Sequence, residues 1–253
     1  MADHIPLAAV IIEGLVFIVT AFIVSRLYQR YFQRRKIAAL TLAGAFTSWN
    51  LGILFLFVGK LTHYIIQQQN NGVYPETSPD FSTLGINLGY GFSAISNVLI
   101  VLFVSQVFSQ ATLFRKTKKF IPILLGVLNG ITLGLLASAI SADWAHPEYT
   151  LGPTIYHLAM TFLAFFLLGY FTLRAKENAT FRWEKAGFNF IFLSALFGFL
   201  LYLSFAIDIL LQELGVLPSY TPFYYIAYVF GVLMCLSAYL GYVMPEFVRK
   251  IFR

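Results

Sequence analysis

The sequence is poor in charge, because only 11% of its 253 residues are Asp, Glu, Lys or Arg. Soluble domains average about 25%, so this chain has too few charged side chains to cover a water-soluble fold of its size. Hydrophobic residues make up 59% of the chain and aromatic residues 18%. This composition predicts that the lipid bilayer surrounds most of the protein.

Cysteine and catalytic motifs are also scarce. Cys235 is the only cysteine, which excludes an internal disulfide. The sequence holds no Gly-rich phosphate loop, no HExxH pair and no CxxC pair. We therefore predict no catalytic residue and no enzymatic activity. The net charge is +6, but the basic residues form short clusters between apolar runs, so nucleic acid is not predicted as a partner.

Seven apolar stretches are each long enough to cross a bilayer as a helix, which requires about 20 residues. The stretch nearest the amino terminus follows a segment without Lys or Arg, unlike a signal peptide, and we expect it to stay as a spanning helix. The sequence thus predicts a single all-α domain, residues 1–253, a polytopic membrane protein with a seven-transmembrane-helix bundle. The predicted helices are 6–27, 38–66, 84–109, 120–142, 150–173, 186–212 and 222–243.

The basic residues fix the predicted orientation. Sixteen of the 17 lie in the first, third and fifth connections and in the carboxyl-terminal tail, whereas the other connections carry only acids. Short connections rich in Lys and Arg stay in the cytoplasm. Basic clusters after every odd-numbered segment require an odd number of spans. We therefore predict an amino terminus outside, a carboxyl terminus in the cytoplasm, and location in the cell membrane.

Three ionisable residues lie inside predicted spanning segments, where each costs at least a few kcal/mol unless it is paired or hydrated. At 1.5 Å per residue, Glu13 and Lys60 lie about 10 and 9 Å below the outer surface, and Asp208 about 6–8 Å. His63 shares a helix face with Lys60, and His157 lies in the outer part of the fifth segment. We predict that these five side chains form a polar pocket open to the outer face.

Four further polar residues are candidates for ligand binding. Asn87 and Tyr90 share a stripe of the third segment, and Tyr225 and Tyr228 share a face of the seventh.

Other interpretations stay open. Lys60 can snorkel to the headgroups, Asp208 can cap local backbone near its helix end, and Glu13 can be protonated and hydrogen-bonded. The polar side chains can also form a structural network or link helices at about 0.6 kcal/mol each. Tyrosines at a helix end are also typical of an aromatic belt.

Small residues recur at helical spacing in the third and fourth segments. This spacing predicts close contact with neighbouring helices and carries no information about chemistry. The residues are Gly85, Gly89, Gly91, Gly126, Gly130 and Gly134.

No cofactor is predicted. His63 and His157 lie at similar depth on different segments, so a haem or a metal ion between them remains an alternative. Seven spans with an external amino terminus also describe the microbial rhodopsins, which carry retinal on a lysine of the seventh helix. The seventh segment here contains no lysine, and retinal is therefore not predicted.

The last segment and the residues after it carry a second resemblance. Residues 239–250, YLGYVMPEFVRK, resemble the exit from the seven-transmembrane-helix sensor modules of prokaryotic membrane receptor kinases. In those proteins an aromatic- and glycine-rich helix end runs into a proline, an aromatic residue and a basic pair before an output domain. The sequence holds no kinase or cyclase domain after this point, so the resemblance implies either a sensor that signals through a separate partner or a truncated or orphan member.

The sequence therefore favours a receptor-like sensory protein. A small ligand, an ion or a proton would bind in the outer-half pocket, and a cytoplasmic signalling protein would detect the resulting helix shift. His63 and His157 would make the response pH-sensitive. The alternatives are a transporter or channel, or a non-catalytic membrane subunit that binds other subunits of a larger assembly. A through-pathway fits less well, because polar residues are sparse in the inner half.

Overall fold

The computed structural model describes residues 4–117, 120–147 and 151–252. Within these ranges it contains nine α-helices and no strand, which confirms the all-α prediction. Seven of the helices are long and apolar enough to span a membrane, as predicted, and α4 and α9 are short. The helices are α1 (Leu7–Arg34), α2 (Ile37–Gln69), α3 (Phe81–Val107), α4 (Thr112–Thr117), α5 (Phe120–Ala142), α6 (Leu151–Glu177), α7 (Arg182–Glu213), α8 (Pro222–Val243) and α9 (Glu246–Ile251).

Several helices extend beyond the predicted segments. Helix α1 continues to Arg34 instead of ending at residue 27, and α6 continues to Glu177 instead of residue 173. Helix α3 begins at Phe81, before the predicted residue 84, and ends at Val107. The apolar pattern marks the stretch that is apolar enough to span a membrane, whereas backbone hydrogen bonding continues into the polar flanks. The predicted start of the fifth segment, residue 150, lies outside the described residues.

The helices form a closed ring. Helix α1 packs against both α2 and α8, so the first and last spanning helices are neighbours. The remaining contacts run from α2 to α3, from α3 to α6, and through α7 back to α8, while α5 packs on the outside of α3 and α6. The ring encloses an interior in which polar side chains from several helices meet.

Glycines allow the closest helix pair, α2 and α3, to touch through their backbones. A methyl group on Gly59 would clash with the carbonyl oxygen of Phe81, and one on Gly85 would lie 2.6 Å from that of Phe55. The predicted close contact is therefore confirmed for Gly85.

The same prediction is wrong for part of α5. Gly130 and Gly134 face open space, with no atom of the described residues within 4 Å of an added methyl group. Helix α5 packs at the periphery of the bundle, so these two glycines lie on its outward side.

The two ends of the bundle differ in the charge of their connections. The acidic end is the one where α1 begins and α2 ends, and the basic end is the one where α1 ends and α2 begins. At the basic end, the helices converge on a core of buried apolar side chains. That core includes Leu42, Phe46, Ile100, Phe103, Phe165, Leu168 and Ile191.

Candidate functional site

A buried ion pair joins the first two helices. Glu13 of α1 is fully buried, and Lys60 of α2 is 3% exposed. The Lys60 ammonium Nζ donates to Glu13 Oε1 over 2.8 Å. Glu13 lies two turns inside α1, about 9 Å from its first residue. The sequence predicted that Glu13 and Lys60 lie at a similar level, and in the structure the two side chains are in direct contact.

Two tyrosines of α8 complete this group. The hydroxyls of Tyr224 and Tyr228 each donate to Glu13 Oε1 over 2.5 Å. Lys60 Nζ also donates to the Tyr224 hydroxyl over 2.6 Å and lies 4.4 Å from the centre of the Tyr224 ring. Below, the Glu13 cluster means Glu13, Lys60, Tyr224 and Tyr228.

The Glu13 cluster is asymmetric at the carboxylate. Oxygen Oε1 accepts three hydrogen bonds from two helices, whereas buried Oε2 accepts none from the described residues. A buried charge pair loses several kcal/mol of hydration per ion, and only good geometry with further hydrogen bonds offsets that loss. The tyrosines supply those hydrogen bonds. Any event that neutralises Glu13 or displaces Lys60 therefore alters the contacts among α1, α2 and α8 together.

A second polar cluster surrounds His157 of α6. The His157 ring nitrogen Nε2 lies 3.1 Å from the Ser93 hydroxyl of α3, which also bonds the Tyr202 hydroxyl of α7. The predicted site residue Tyr90 lies beside it, with ring centres 5.1 Å apart. His157 is 1% exposed, and its Nδ1 has no hydrogen-bond partner among the described residues.

The polar contacts continue from His157 towards mid-membrane. Thr161 lies one turn further along α6, and its hydroxyl accepts from the Asn97 side chain over 2.8 Å. The same Asn97 amide nitrogen lies 3.3 Å from the Asn129 carbonyl oxygen of α5. These contacts match the polar links that stabilise helix packing in membranes. Beyond Asn129, the apolar core of the basic end begins.

His63 contacts the connection between α2 and α3 instead of the Glu13 cluster. Its ring stacks on Tyr74 with centres 3.6 Å apart, and its Nδ1 lies 3.8 Å from Asp80 Oδ1. Asp80 caps the amino terminus of α3 by accepting from the backbone N–H and hydroxyl of Thr83 over 3.0 and 2.6 Å.

Asp80 is held in its charged form. Burial raises the pKa of this carboxyl, but the contacts with His63 and Thr83 outweigh burial and lower the pKa from 3.8 to about 2. The backbone N–H of Asp80 also donates to the Ala145 carbonyl over 2.6 Å. Asp80 therefore links three elements of the acidic end: α2, α3 and the connection after α5.

Asp208 has a local partner. Its carboxylate Oδ1 accepts from the backbone N–H of Thr221 over 2.8 Å, and Thr221 is the residue that caps the start of α8. The contact fixes the connection between α7 and α8. The contacts of the five predicted pocket residues thus fall into four groups: Glu13 with Lys60, His63 with Asp80, His157 with Ser93, and Asp208 with Thr221.

The remaining predicted site residues lie at the edges of these groups. Asn87 of α3 is 3% exposed, and its side-chain nitrogen donates to no described residue. Tyr225 is partly exposed, and its ring contacts that of Tyr224 edge-on at 5.3 Å.

Two partners were missed from sequence. Tyr202 carries no pattern that marks it as a contact of a histidine on another helix. Asp80 carries a different signal, because an aspartate directly before an apolar run is a typical helix cap. Ser93 lies on the same polar stripe as Asn87 and Tyr90, but that stripe does not indicate which helix it contacts.

No group of three or more His, Cys, Asp or Glu side chains within the described ranges is arranged to hold a metal ion. His63 and His157 have different neighbours, Tyr74 and Asp80 for the first and Ser93 and Tyr90 for the second.

Comparison with protein-family models, with curated proteins and with solved structures found no match to this chain.

Proposed function

We propose that this chain is a receptor-like sensory protein of the cell membrane, in which the Glu13 cluster detects a proton or a small cation. The observation that carries the proposal is the buried contact of Glu13 with Lys60, Tyr224 and Tyr228. An ionisable residue inside a spanning helix is energetically costly, and such residues commonly mark functional sites. Here one carboxylate oxygen ties together the first, second and last spanning helices.

A sensor needs a stimulus that binds one conformation better than another. Protonation of Glu13 would remove the attraction to Lys60 and turn one carboxylate oxygen into a donor. A small cation would compete with Lys60 for the same oxygens, including Oε2, which accepts no hydrogen bond within the described residues. Either event favours a state in which α1 and α8 separate or rotate.

The output passes through α8 to the basic end. Helix α8 ends at Met244 in a left-handed turn, and α9 follows directly. Helix α8 packs tightly on α7, where a methyl group on Gly241 would lie 2.8 Å from the Gly187 carbonyl oxygen. We therefore expect the two helices to move as one unit. A shift of α8 therefore repositions α9, where a cytoplasmic signalling protein would bind.

The orientation in this proposal follows from charge. The basic end carries the Lys- and Arg-rich connections, and such short connections stay in the cytoplasm. Single cysteines introduced at Thr77 and Thr180 test this orientation. Both positions are exposed, and they lie at opposite ends of the bundle. Whole cells are treated with a membrane-impermeant thiol reagent. Thr77→Cys should react and Thr180→Cys should not, with buried Cys235 silent; the reverse pattern would overturn the orientation.

The stimulus is tested by distance measurement. Spin labels are attached to Gln33→Cys in α1 and Ile251→Cys in α9, two exposed positions at the basic end. Double electron–electron resonance in nanodiscs then measures the distance between the two labels. We expect the distance distribution to change on acidification, or on replacing Na⁺ by a bulky organic cation.

The control separates Glu13 from other acids. Glu13→Gln should abolish the change, whereas Glu177→Gln, the same chemical change at an exposed site, should leave it intact. A distribution that responds to neither pH nor cation, or that responds equally in Glu13→Gln, would overturn the proposal.

A transporter or channel is less well supported, because the apolar core closes the basic half below Asn129. Protein-containing liposomes with an internal pH dye distinguish the two. A proton flux that is lost in Glu13→Gln would identify the protein as a transporter and would overturn the sensor proposal.

A further inference from the structure

A cavity of about 350 Å³ lies at the basic end, where α1, the end of α8 and α9 meet. Its volume is within the range of about 300–1,000 Å³ typical of small-molecule sites. Among the described residues, three cations line it, Arg30 of α1 with Arg249 and Lys250 of α9, against one acid, Glu246. The cavity therefore carries a local excess of positive charge.

The acid does not neutralise this excess. Glu246 pairs with Lys250 at 3.5 Å, and both side chains are more than 60% exposed. Exposed pairs of this kind are worth at most about 1 kcal/mol, because water and salt screen them. Both arginines remain to interact with an anion.

The Arg30 side chain is partly buried, whereas that of Arg249 is exposed. Arg30 donates through Nη1 to Gln33 over 3.1 Å, while its buried Nε has no acceptor among the described residues. Arg249 lies over the Trp183 ring at 4.5 Å. That contact uses the face of the guanidinium and leaves its in-plane N–H groups for another partner. Planar, bidentate donors of this kind match phosphate oxygens.

The walls of the cavity are well anchored. Met244 has a φ of 45°, and its N–H donates to the Leu240 carbonyl over 3.1 Å, which closes α8 and turns the chain into α9. Val248 of α9 is buried at 5% exposure, and Arg249 N–H donates to the Pro245 carbonyl over 3.0 Å. Helix α9 is therefore packed against the bundle and holds its two cations at the cavity.

We propose that this cavity binds a phosphate group. Arg30 lies one turn before the end of α1, and basic pockets between helices near the ends of spanning helices bind anionic lipid phosphates. The shared chemistry is a phosphate mono- or diester, carried by an anionic lipid or by a free phosphate compound. The proposal is independent of the sensory function above, since it needs neither the Glu13 cluster nor a given orientation.

The experiment uses the purified full chain and has two arms. Native mass spectrometry from nanodiscs of mixed phosphatidylglycerol and phosphatidylcholine measures retained lipid. Titration calorimetry with inorganic phosphate in detergent, at constant ionic strength, measures the free anion. Retention of phosphatidylglycerol over phosphatidylcholine assigns the site to a lipid headgroup, and phosphate binding alone assigns it to a soluble phosphate. Binding in neither arm overturns the proposal.

Variants locate the binding. Arg30→Gln and Arg249→Gln should each weaken it about tenfold or more, because each removes charge-assisted hydrogen bonds. Glu246→Gln should strengthen it by removing an acid at the cavity. Arg26→Gln is the matched control, since Arg26 is an exposed arginine of α1 whose guanidinium lies over Phe22, outside the cavity. An equal loss of binding in Arg26→Gln would show that phosphate is attracted diffusely to the basic surface, and it would overturn the proposed site.

Discussion

The Lys60 ammonium lies 2.8 Å from the Glu13 carboxylate, and the two side chains are 4% and 0% exposed. They come from positions 47 residues apart on neighbouring helices. Water screens this pair very little, so each charge depends on the other. The Glu13 cluster is consequently the place where single substitutions should have the largest effect on the protein.

Removing one charge of this pair should be more harmful than removing both. Glu13→Gln and Lys60→Met should each lower the free energy of unfolding by about 3–5 kcal/mol, because an unpaired buried charge remains. The double variant should recover much of that loss, since the amide oxygen of the introduced glutamine still accepts from the two tyrosines. Unfolding in mixed detergent micelles provides the measurement, and additive losses would contradict the prediction.

The contact between α2 and α3 should tolerate no side chain at Gly59 or Gly85. Gly59→Ala or Gly85→Ala forces two backbones apart, and we expect a loss of about 1–3 kcal/mol in the free energy of unfolding. Gly59 precedes Lys60, so the variant should also disturb the ion pair. Gly130→Ala is the control, because its methyl group meets open space; its stability should be unchanged or slightly higher. Equal losses at the three positions would contradict this interface.

The acidic end should lose stability in acid through Asp80. Its pKa is lowered from 3.8 to about 2 in the folded protein, so the folded state favours the charged form. This contribution is complete above the unfolded pKa and disappears as the pH falls from about 4 through about 2. Asp80→Asn should reduce that pH dependence while leaving the cap of α3 largely intact, because Asn caps helices about as well as Asp. Thermal unfolding at a series of pH values tests this, and an identical acid profile in the variant would count against it.

Asp208 should act through its hydrogen bond and not through its charge. Asp208→Asn keeps an oxygen for the Thr221 N–H and should change stability little. Asp208→Leu leaves that N–H without its acceptor and should cost about 1–3 kcal/mol. Chemical unfolding of both variants separates the cases. An equally large loss in Asp208→Asn would show that the negative charge itself matters.

The sequence indicated which polar residues lie at similar levels along their helices, but not which partners they contact. Counting residues from the helix ends placed Glu13 and Lys60 at one level, and they touch. The same counting placed His63, His157 and Asp208 nearby, yet each contacts a different partner. Depth follows from the 1.5 Å rise per residue, whereas the partner depends on how each helix is rotated about its axis.

Helix rotation is difficult to predict here because the apolar pattern is nearly uniform around each helix. In a soluble helix an apolar stripe marks the buried face. In lipid both the outward and the inward faces are apolar, so Gly85 and Gly130 look alike in sequence although one contacts a backbone and the other open space. Only the tertiary structure distinguished them.

The sequence by itself determined the all-α class, the number of spanning helices and the charge difference between the two ends, because these depend on local hydrophobicity and counts along the chain. The tertiary structure decided which polar groups meet: that Tyr224 and Tyr228 share Glu13 with Lys60, and that Arg30 faces α9 across a cavity. Those contacts require α1 to close the ring against α8. That closure joins residues more than 200 positions apart, and no local pattern encodes it.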